Sequence, residues 1–494
     1  MLLNELLDAV HVLELRGDPR TEIASVTHDS RRASPGALFC CVPGATSDGH
    51  DHAAAAVAAG AVALLVERHL DVPVPQVRVD SVRAAMAPLS AAFFGHPSRR
   101  MRVLGVTGTN GKTTTTYLLE AIAGAAGLRP AVVGTVETRI DGTRWPVERT
   151  TPEAPDLQAL FRRMVDAGVD VAAVEVSSHA LALHRVDATT FAAACFTNLS
   201  HDHLDFHESL KAYFEAKASL FDPARTAAAA VNLDDPHGVV LAGRAARAGL
   251  DVTGFGFSDE AAVRAEAVEV TPTGNRFRLV TPAETVAVHS PLVGRFNVMN
   301  ALGSAATALA AGIPVAAVAE GLSAPVVIPG RLERVEAGQP FPVLVDYAHT
   351  PDGLDQVLRA GRQLVDGGRL VVVFGCGGDR DRAKRPAMGK VAAALADVVY
   401  VTSDNPRSED PMAIATEVAA GIPSGVPFAL VLDRRLALRQ ALAGLQPGDV
   451  LVVAGKGHET GQTAGGVTLP FDDRVVAREE LAALGFSDGG RPCA

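Results

Sequence analysis

The sequence predicts an α/β protein built from several mostly parallel sheets. Strand-length apolar runs (RVLGVT, PAVVGT, VDVAAVEV, FPVLVDY, RLVVVFG) alternate nearly throughout with segments of helical character. Those runs tend to end in polar or glycine residues, at the carboxyl edge where open α/β sheets bind ligands. The 494 residues, 48% hydrophobic and 20% charged, hold enough apolar material for roughly two to four domains.

Composition narrows the functions. A formal charge of −11 argues against nucleic acid or an anionic membrane surface as the main partner, so anionic substrates would need locally concentrated cations. Cys40, Cys41, Cys195, Cys376 and Cys493 form no C-x-x-C pair, which suggests neither a disulfide framework nor a zinc knuckle. The opening MLLNELLDAVHVLEL mixes acids into its apolar residues and lacks the basic start and cleavage site of a secretory leader. The apolar run 53–66 is alanine-rich, contains Gly60 and is too short to span a bilayer; it reads as helix, turn and strand. A cytoplasmic protein is expected.

Taken in order, ALFCCV, AVALLVE and PQVRVD read as strands of a first block, residues 1–99, closed by the linker-like FGHPSRR. A second block, 100–328, opens with RVLGVT and a glycine loop and runs through PAVVGT, VDVAAVEV and FAAACFTN. Between 263 and 289 the pattern shortens and alternates around TPTGN, predicting a small antiparallel appendage. After the boundary at VVIPGR, the third block, 329–494, returns to parallel α/β with FPVLVDY, RLVVVFG, DVVYVTS and DVLVVAG. The tail SDGGRPCA reads as disordered. No repeat or heptad is evident.

The loop GVTGTNGKTTTT (105–116) misses the strict phosphate-loop pattern, because Val106 stands where the first glycine belongs. Its context is nevertheless that of a phosphate site. A buried-type strand precedes it and a helix follows, so backbone N–H groups and a positive helix end face an anion. Gly108 and Gly111 permit close backbone approach, Lys112 can reach the β- and γ-phosphates, and Thr113 can ligate Mg²⁺. Lys112 is expected on a surface loop. Glu175 ends the strand VDVAAVEV and is either a solvated strand end or a Mg²⁺ ligand beside the loop, the reading favoured here. TNLSHDHLDFH gathers His201, Asp202, His203, Asp205 and His207; it nearly matches the H-x-H-x-D-H of zinc hydrolases, but its last histidine comes one place late. A structural histidine cluster is the bland alternative, and His203 near a second Mg²⁺ the preferred one.

GTNGKTTT, EVSSHAL, TNLSHDHLDFH, YFEAKASLF, GRFNVMNALGSAATA, DYAHTPDGL, GCGGDRDRAKRP and AGKGHE, in this order, resemble the motif set of the Mur ligases across nearly the whole chain. In that family the loop reads T-G-T-N-G-K-T, so the position of Val106 need not be glycine. HDSRRASPGALFCCVPG, TTPE and above all DNPR resemble the branch that adds diaminopimelate during peptidoglycan synthesis. The resemblance implies three domains: an N-terminal UDP-substrate domain (1–99), a central ATP-binding domain (100–328) and a Rossmann-like C-terminal domain for the incoming amino acid (329–494). It also implies ATP and Mg²⁺, with UDP-N-acetylmuramoyl-L-alanyl-D-glutamate and meso-2,6-diaminopimelate as the other substrates. ATP would phosphorylate the D-glutamyl γ-carboxylate, and the amino acid's amine would attack the acyl phosphate. The sequence shows no protein nucleophile, so catalysis would rest on positioning and charge neutralisation.

Residue by residue, the resemblance puts Gly108, Thr109, Asn110, Gly111, Lys112, Thr113 and Thr114 on ATP, with Asn297 and Asn300 on the adenine side and Arg331 and Asp346 reaching from the third domain. Thr113, Glu175 and His203 become metal-side groups. Lys217, otherwise a solvated helix lysine, matches the lysine that becomes N6-carboxylysine, an oxygen donor suited to Mg²⁺. Ser30, Thr150, Thr151, Ser177 and Arg185 match UDP-substrate contacts. Arg385, Asp404, Asn405, Pro406, Arg407, Gly455 and Glu459 match diaminopimelate contacts, although Asn-Pro-Arg alone is a common turn with a solvated arginine. Position 183, often glutamine, is Leu183, which has no amide to offer substrate, and His201 stands where arginine is common. The alternatives are the lysine-adding branch and a non-catalytic ATP-binding regulator on the same scaffold.

Overall fold

The computed structural model describes residues 1–44, 47–140 and 142–486; the tail SDGGRPCA, Cys493 included, lies outside them. The first sheet has Ser25–Thr27, Ala37–Cys40, Ala61–Val66 and Gln76–Arg78 in parallel, with Glu14–Arg16 antiparallel on the edge. The alanine-rich run resolves as expected into helix Ala53–Ala58, a turn at Gly60 and strand Ala61–Val66. Alternation along these strands fills both faces: Leu38, Leu65 and Val77 pack on one side, Phe39 and Leu64 on the other. The stretch FGHPSRR is ordered, because Ser98 is buried and its hydroxyl accepts the Thr190 amide at 3.1 Å.

The central sheet has eleven strands. Strand Arg102–Thr107, which feeds the glycine loop, lies between Val171–Glu175 and Ala193–Phe196, both parallel to it. Register aligns Val106 with Glu175 and Thr107 with Phe196, so three strand ends stop together at the loop. The chain crosses here from one side of the loop strand to the other, and such a switch point opens a crevice beyond the strand ends. Helix Lys112–Ala125 packs its Leu118, Leu119 and Ile122 on the sheet together with Leu302 and Val318 of the helices Arg295–Ala310 and Val315–Ser323. The antiparallel appendage of Val263–Thr271, Gly274–Val280 and Thr285–Ser290 is present, turning at TPTGN, but it is not a separate sheet. Phe255 pairs with Val263 and Gly256 with Arg264, joining it to the central sheet.

The third sheet has six strands, all parallel except Glu333–Arg334. Its strands Val343–Asp346, Leu370–Phe374, Val398–Val401 and Val450–Ala454 lead at their carboxyl ends into DYAHTPDGL, GCGGDRDRAKRP, SDNPR and AGKGHE, so these distant motifs converge on one edge. A two-stranded hairpin, Gly461–Ala464 with Val467–Pro470, stands beside that edge. Beneath it the fully buried pair Arg434–Asp473 (2.7 Å) ties the edge together, its guanidinium also donating to the carbonyls of Ser403 and Ala454. Breaking a buried pair of this kind typically costs about 3–5 kcal/mol.

Candidate active site

The glycine loop has the backbone its sequence requires. Gly108 at φ +153° and Gly111 at φ +87° occupy conformations unfavourable to other residues. Neither has room for a side chain: a Cβ on Gly108 would strike the Thr197 hydroxyl, and one on Gly111 the Asn300 amide oxygen. The loop is braced by Asn198, whose Oδ1 accepts the Asn110 amide at 2.9 Å.

Two lysines meet on it. Lys112 Nζ donates to the carbonyls of Gly108 (2.9 Å) and Thr109 (2.8 Å), and Lys217 Nζ donates to the same Gly108 carbonyl at 2.8 Å. Lys112 is half-buried and lines a cavity that Arg331 and Asp346 also line, and burial lowers its pKa against the opposing pull of Glu175. Lys217 is 1% exposed and has no carboxylate within salt-bridge reach among the described residues. Burial first, and the neighbouring Lys112 charge second, hold its pKa well below the ordinary lysine value. Lys217 is thus not the solvated helix lysine of the bland alternative but a buried amine whose neutral form burial favours.

Glu175 is 1% exposed, and Thr135 donates to both its oxygens, through the amide at 2.8 Å and the hydroxyl at 2.9 Å. His203 sits at φ +54° with its ring edge-on to His179, centroids 4.8 Å apart, and burial lowers its pKa. His207 Nε2 lies 2.9 Å from the Ser178 hydroxyl. Among the described residues no three His, Cys, Asp or Glu side chains converge as a ready metal cage.

A cavity of about 550 Å³ opens over the loop. Thr109–Thr114, Thr150, Glu175, Ser177, His203 and Lys217 line it from the central block, with Asn300 from the later helix and Arg331 and Asp346 from the third block. Arg331 donates to the Thr113 hydroxyl at 3.1 Å, and Asp346 accepts the amides of Leu332 and Ala348, both at 2.7 Å. Asn297 is buried just behind, its oxygen accepting from Asn300 at 3.0 Å. Thr151 accepts the Ser177 amide at 3.1 Å and donates to the Glu175 carbonyl at 2.8 Å, while Arg185 donates to the Thr151 carbonyl at 3.2 Å. Ser30, on the first block, is half-buried and does not line this cavity.

The remaining expected residues form a second cluster at the edge of the third sheet. Asn405 Oδ1 accepts the Thr463 amide at 2.9 Å, which leaves Nδ2 to donate to Glu459 Oε2 at 2.7 Å. Asp404 is buried, its pKa raised by desolvation against the pull of Arg434, and a Cβ on Gly455 would press on its carboxylate. Pro406 is buried beside it. Arg407 adopts φ +55°, a strained backbone for a non-glycine residue, and its guanidinium donates to the Gly378 carbonyl at 2.6 Å. It is half-buried without a carboxylate partner among the described residues. Arg385 differs: its guanidinium is enclosed and bound to Glu409 (2.7 and 3.0 Å) and Glu417 (2.8 Å). Instead of offering a free cation to a ligand, in this conformation it braces the wall of the cluster.

Both clusters carry the chemistry of anionic ligands, and comparison with known proteins gives the family. Residues 22–94, 106–308 and 330–457 match the domain families described as Mur ligase family, catalytic domain; Mur ligase middle domain; and Mur ligase, glutamate ligase domain. The chain is 44% identical over 492 residues to the UDP-N-acetylmuramoyl-L-alanyl-D-glutamate--2,6-diaminopimelate ligase of Bacillus licheniformis, covering 98% of this chain and 100% of that one. The chain belongs to the Mur ligase family. A protein of the same name from Gloeobacter violaceus is 47% identical, covering 98% of each chain. This Mur ligase also superimposes on a solved structure of that name with TM-score 0.70 at 33% identity, covering 99% of this chain and 100% of that one. A Mur ligase of Thermotoga maritima solved with ADP shares the fold, with TM-score 0.66 at 18% identity, covering 94% of this chain and 97% of that one.

Sequence reasoning passed over several residues of the site. Arg295, stacked 3.9 Å from the Phe257 ring centroid, and Tyr347 and His349 line the cavity, and Asp352 accepts from Asn110 Nδ2 at 2.8 Å. Arg295 and His349 stood inside the motifs GRFNVMN and DYAHTPDGL, so the signal was there. Glu153 of TTPE was also missed. It is buried and pairs with Arg185 at 2.9 Å and Arg83 at 3.4 Å, linking Arg185 to the first block.

Proposed function

We propose that this Mur ligase, an ATP-dependent, ADP-forming enzyme, joins meso-2,6-diaminopimelate to UDP-N-acetylmuramoyl-L-alanyl-D-glutamate in peptidoglycan precursor synthesis. In this reading residues 1–99 hold the UDP portion through Ser30, 100–328 hold ATP, and 329–494 hold the amino acid. The reaction runs in the cytoplasm; among the described residues no helix is long and apolar enough to cross a membrane. The observation that carries the choice of amino acid is Arg407, a half-buried guanidinium without a carboxylate partner among the described residues, in the same loop as Asn405, which binds Glu459. A diaminopimelate side chain ends in a carboxylate and an ammonium. The guanidinium suits the first through parallel hydrogen bonds, and Glu459 Oε1, free of hydrogen bonds among the described residues, suits the second.

The chemistry follows from the charges. A γ-carboxylate oxygen of D-glutamate bonds to the γ-phosphorus as the bond to ADP breaks. The amine nitrogen of diaminopimelate then bonds to the acyl carbon, the carbon–oxygen bond to phosphate breaks, and the nitrogen loses its proton. Lys112 and Arg331 neutralise charge on the transferring phosphoryl group, and Thr150, Thr151, Ser177 and Arg185 orient the muramoyl-dipeptide. The donor set fits Mg²⁺: Glu175 is a buried carboxylate with no cation in salt-bridge reach among the described residues, and Thr113 adds a hydroxyl. In its neutral form, which burial favours, the Lys217 amine can take up CO₂, losing a proton to give an N6-carboxylate, while His203 stands on the same side. When bound, Mg²⁺ would offset phosphate charge, and Glu175, Thr113 and carboxylated Lys217 would hold it with the nucleotide's own oxygens. An amino-acid panel with purified protein, ATP and the UDP-dipeptide tests the proposal. Product with meso-diaminopimelate and almost none with L-lysine supports it; lysine as the better substrate supports the lysine-adding branch, and ATP turnover indifferent to both substrates the non-catalytic reading.

A further inference from the structure

Lys456, in AGKGHE, matches no substrate contact, yet it is the most completely committed cation in the amino-acid cluster. Its side chain is 0% exposed, and three acceptors surround its ammonium: Asn405 Oδ1 at 3.2 Å, Glu459 Oε2 at 3.0 Å and the Gly461 carbonyl at 2.6 Å. Three acceptors match the three N–H donors of an ammonium, which leaves none to spare for a ligand. Two of the acceptors belong to the residues that face the distal end of the incoming amino acid. The third begins the hairpin Gly461–Ala464, whose Thr463 amide and Gln462 side chain hold Asn405 Oδ1 (2.9 Å) and the Asp404 carbonyl (2.7 Å).

From this arrangement we infer that Lys456 is a specificity-determining positioning residue which makes the pocket reject amino acids whose side chain ends in a lone cation. The inference rests on the diaminopimelate reading and deepens it. Of the side chains that face the distal end of the amino acid in this reading, Arg407 and Lys456 carry positive charge and Glu459 negative, so the one carboxylate is shared between a built-in cation and whatever the ligand brings. Asp404, buried beneath, is drawn to Arg434 and Lys456 and is pushed by burial away from its charged form. A diaminopimelate end, with one charge of each sign, enters at no net electrostatic cost. A lysine end brings a third positive charge to a carboxylate already engaged by Lys456 and Asn405, and like-charge juxtaposition is a strong filter against a wrong partner. Arg407 thus supplies the attraction and Lys456 the repulsion.

The test is the ratio of kcat/KM for meso-diaminopimelate to that for L-lysine, with KM for ATP and the UDP-dipeptide measured alongside. Lys456→Met keeps the length of the side chain and removes the charge. It is expected to lower the ratio by about tenfold or more, mainly through gained lysine use, while the other two KM values hold. An unchanged ratio with a parallel loss on both amino acids marks a purely structural lysine and overturns the inference, leaving the parent reading intact. A wild type that prefers lysine overturns the parent reading itself. If Lys456→Met does not fold, Glu459→Gln decides the matter. With the compensating carboxylate gone the pocket repels cations more, so lysine use falls further than diaminopimelate use, whereas an equal fall on both overturns the inference.

Discussion

The loop cavity and the amino-acid cluster are both built at the carboxyl ends of parallel strands and are both rich in cations, but they treat those cations in opposite ways. Lys112 and Arg331 donate to backbone carbonyls and a threonine hydroxyl, and neither has a carboxylate in salt-bridge reach among the described residues. In the third-sheet cluster Arg385, Arg434 and Lys456 are each paired with a carboxylate, whereas Arg407 has no carboxylate partner among the described residues. The difference teaches where charge is meant to arrive. A protein of net charge −11 does not leave cations uncompensated without cost, and under the proposed function these would receive the phosphates of ATP and the distal carboxylate of the amino acid.

Removing charge from the first region is expected to hurt most. Lys112→Ala should lower kcat by about 10²–10³-fold, the loss typical of one preorganised charge at a reacting centre, with the far-ultraviolet spectrum unchanged. Near-normal turnover of the folded variant would erase the contrast between the regions. Lys217→Ala should lose most of its activity, and added formate or acetate should restore part of it by standing in for the carbamate; full activity without additive would leave the buried amine with no role.

In the second region the contrast should appear between two arginines that look alike in sequence. Arg407→Ala should raise KM for diaminopimelate by about tenfold to a hundredfold, the range of an unmade charged hydrogen bond, with KM for ATP little changed. Arg385→Ala should chiefly lower Tm, since it strips the partner from Glu409 and Glu417. If the two variants showed the same pattern, Arg385 would belong with the ligand contacts after all.

The smallest expected effect is on pH stability. Burial, then the nearby His179 and Lys217, depress His207 from 6.5 to about 4. The unfolded chain therefore binds a proton that the folded one refuses, so this contribution is whole above pH 6.5 and declines as pH falls from there towards about 4. His207→Gln should flatten the fall of Tm over that window, and an unaltered slope would show that the loop cavity's buried histidines do not set it.

Most of the fold was legible because strand runs and their polar stops repeat so regularly, and the loop was legible because Gly108, Gly111 and Lys112 sit between a strand and a helix. What sequence could not give was state and partnership. The spacing in YFEAKASLF is that of a solvated helix, and only the packing of Tyr213, Lys112 and the Gly108 carbonyl around Lys217 makes its amine a buried one. Nor could sequence separate Arg385 from Arg407, since Glu409 and Glu417, the carboxylates that claim the former, lie beyond its own motif. The appendage was foreseen, but its joining to the central sheet rests on only two residue pairs, Phe255 with Val263 and Gly256 with Arg264, too short a contact for periodicity to reveal.

In the proposed reaction Lys112 and Arg331 serve a transferring phosphoryl group, with no protein nucleophile. Labelling both γ-carboxylate oxygens of the D-glutamyl residue with ¹⁸O tests it most directly. Passage through an acyl phosphate predicts that each phosphate released carries one labelled oxygen while the other stays in the new amide. Phosphate free of label, with product still formed, would contradict the account.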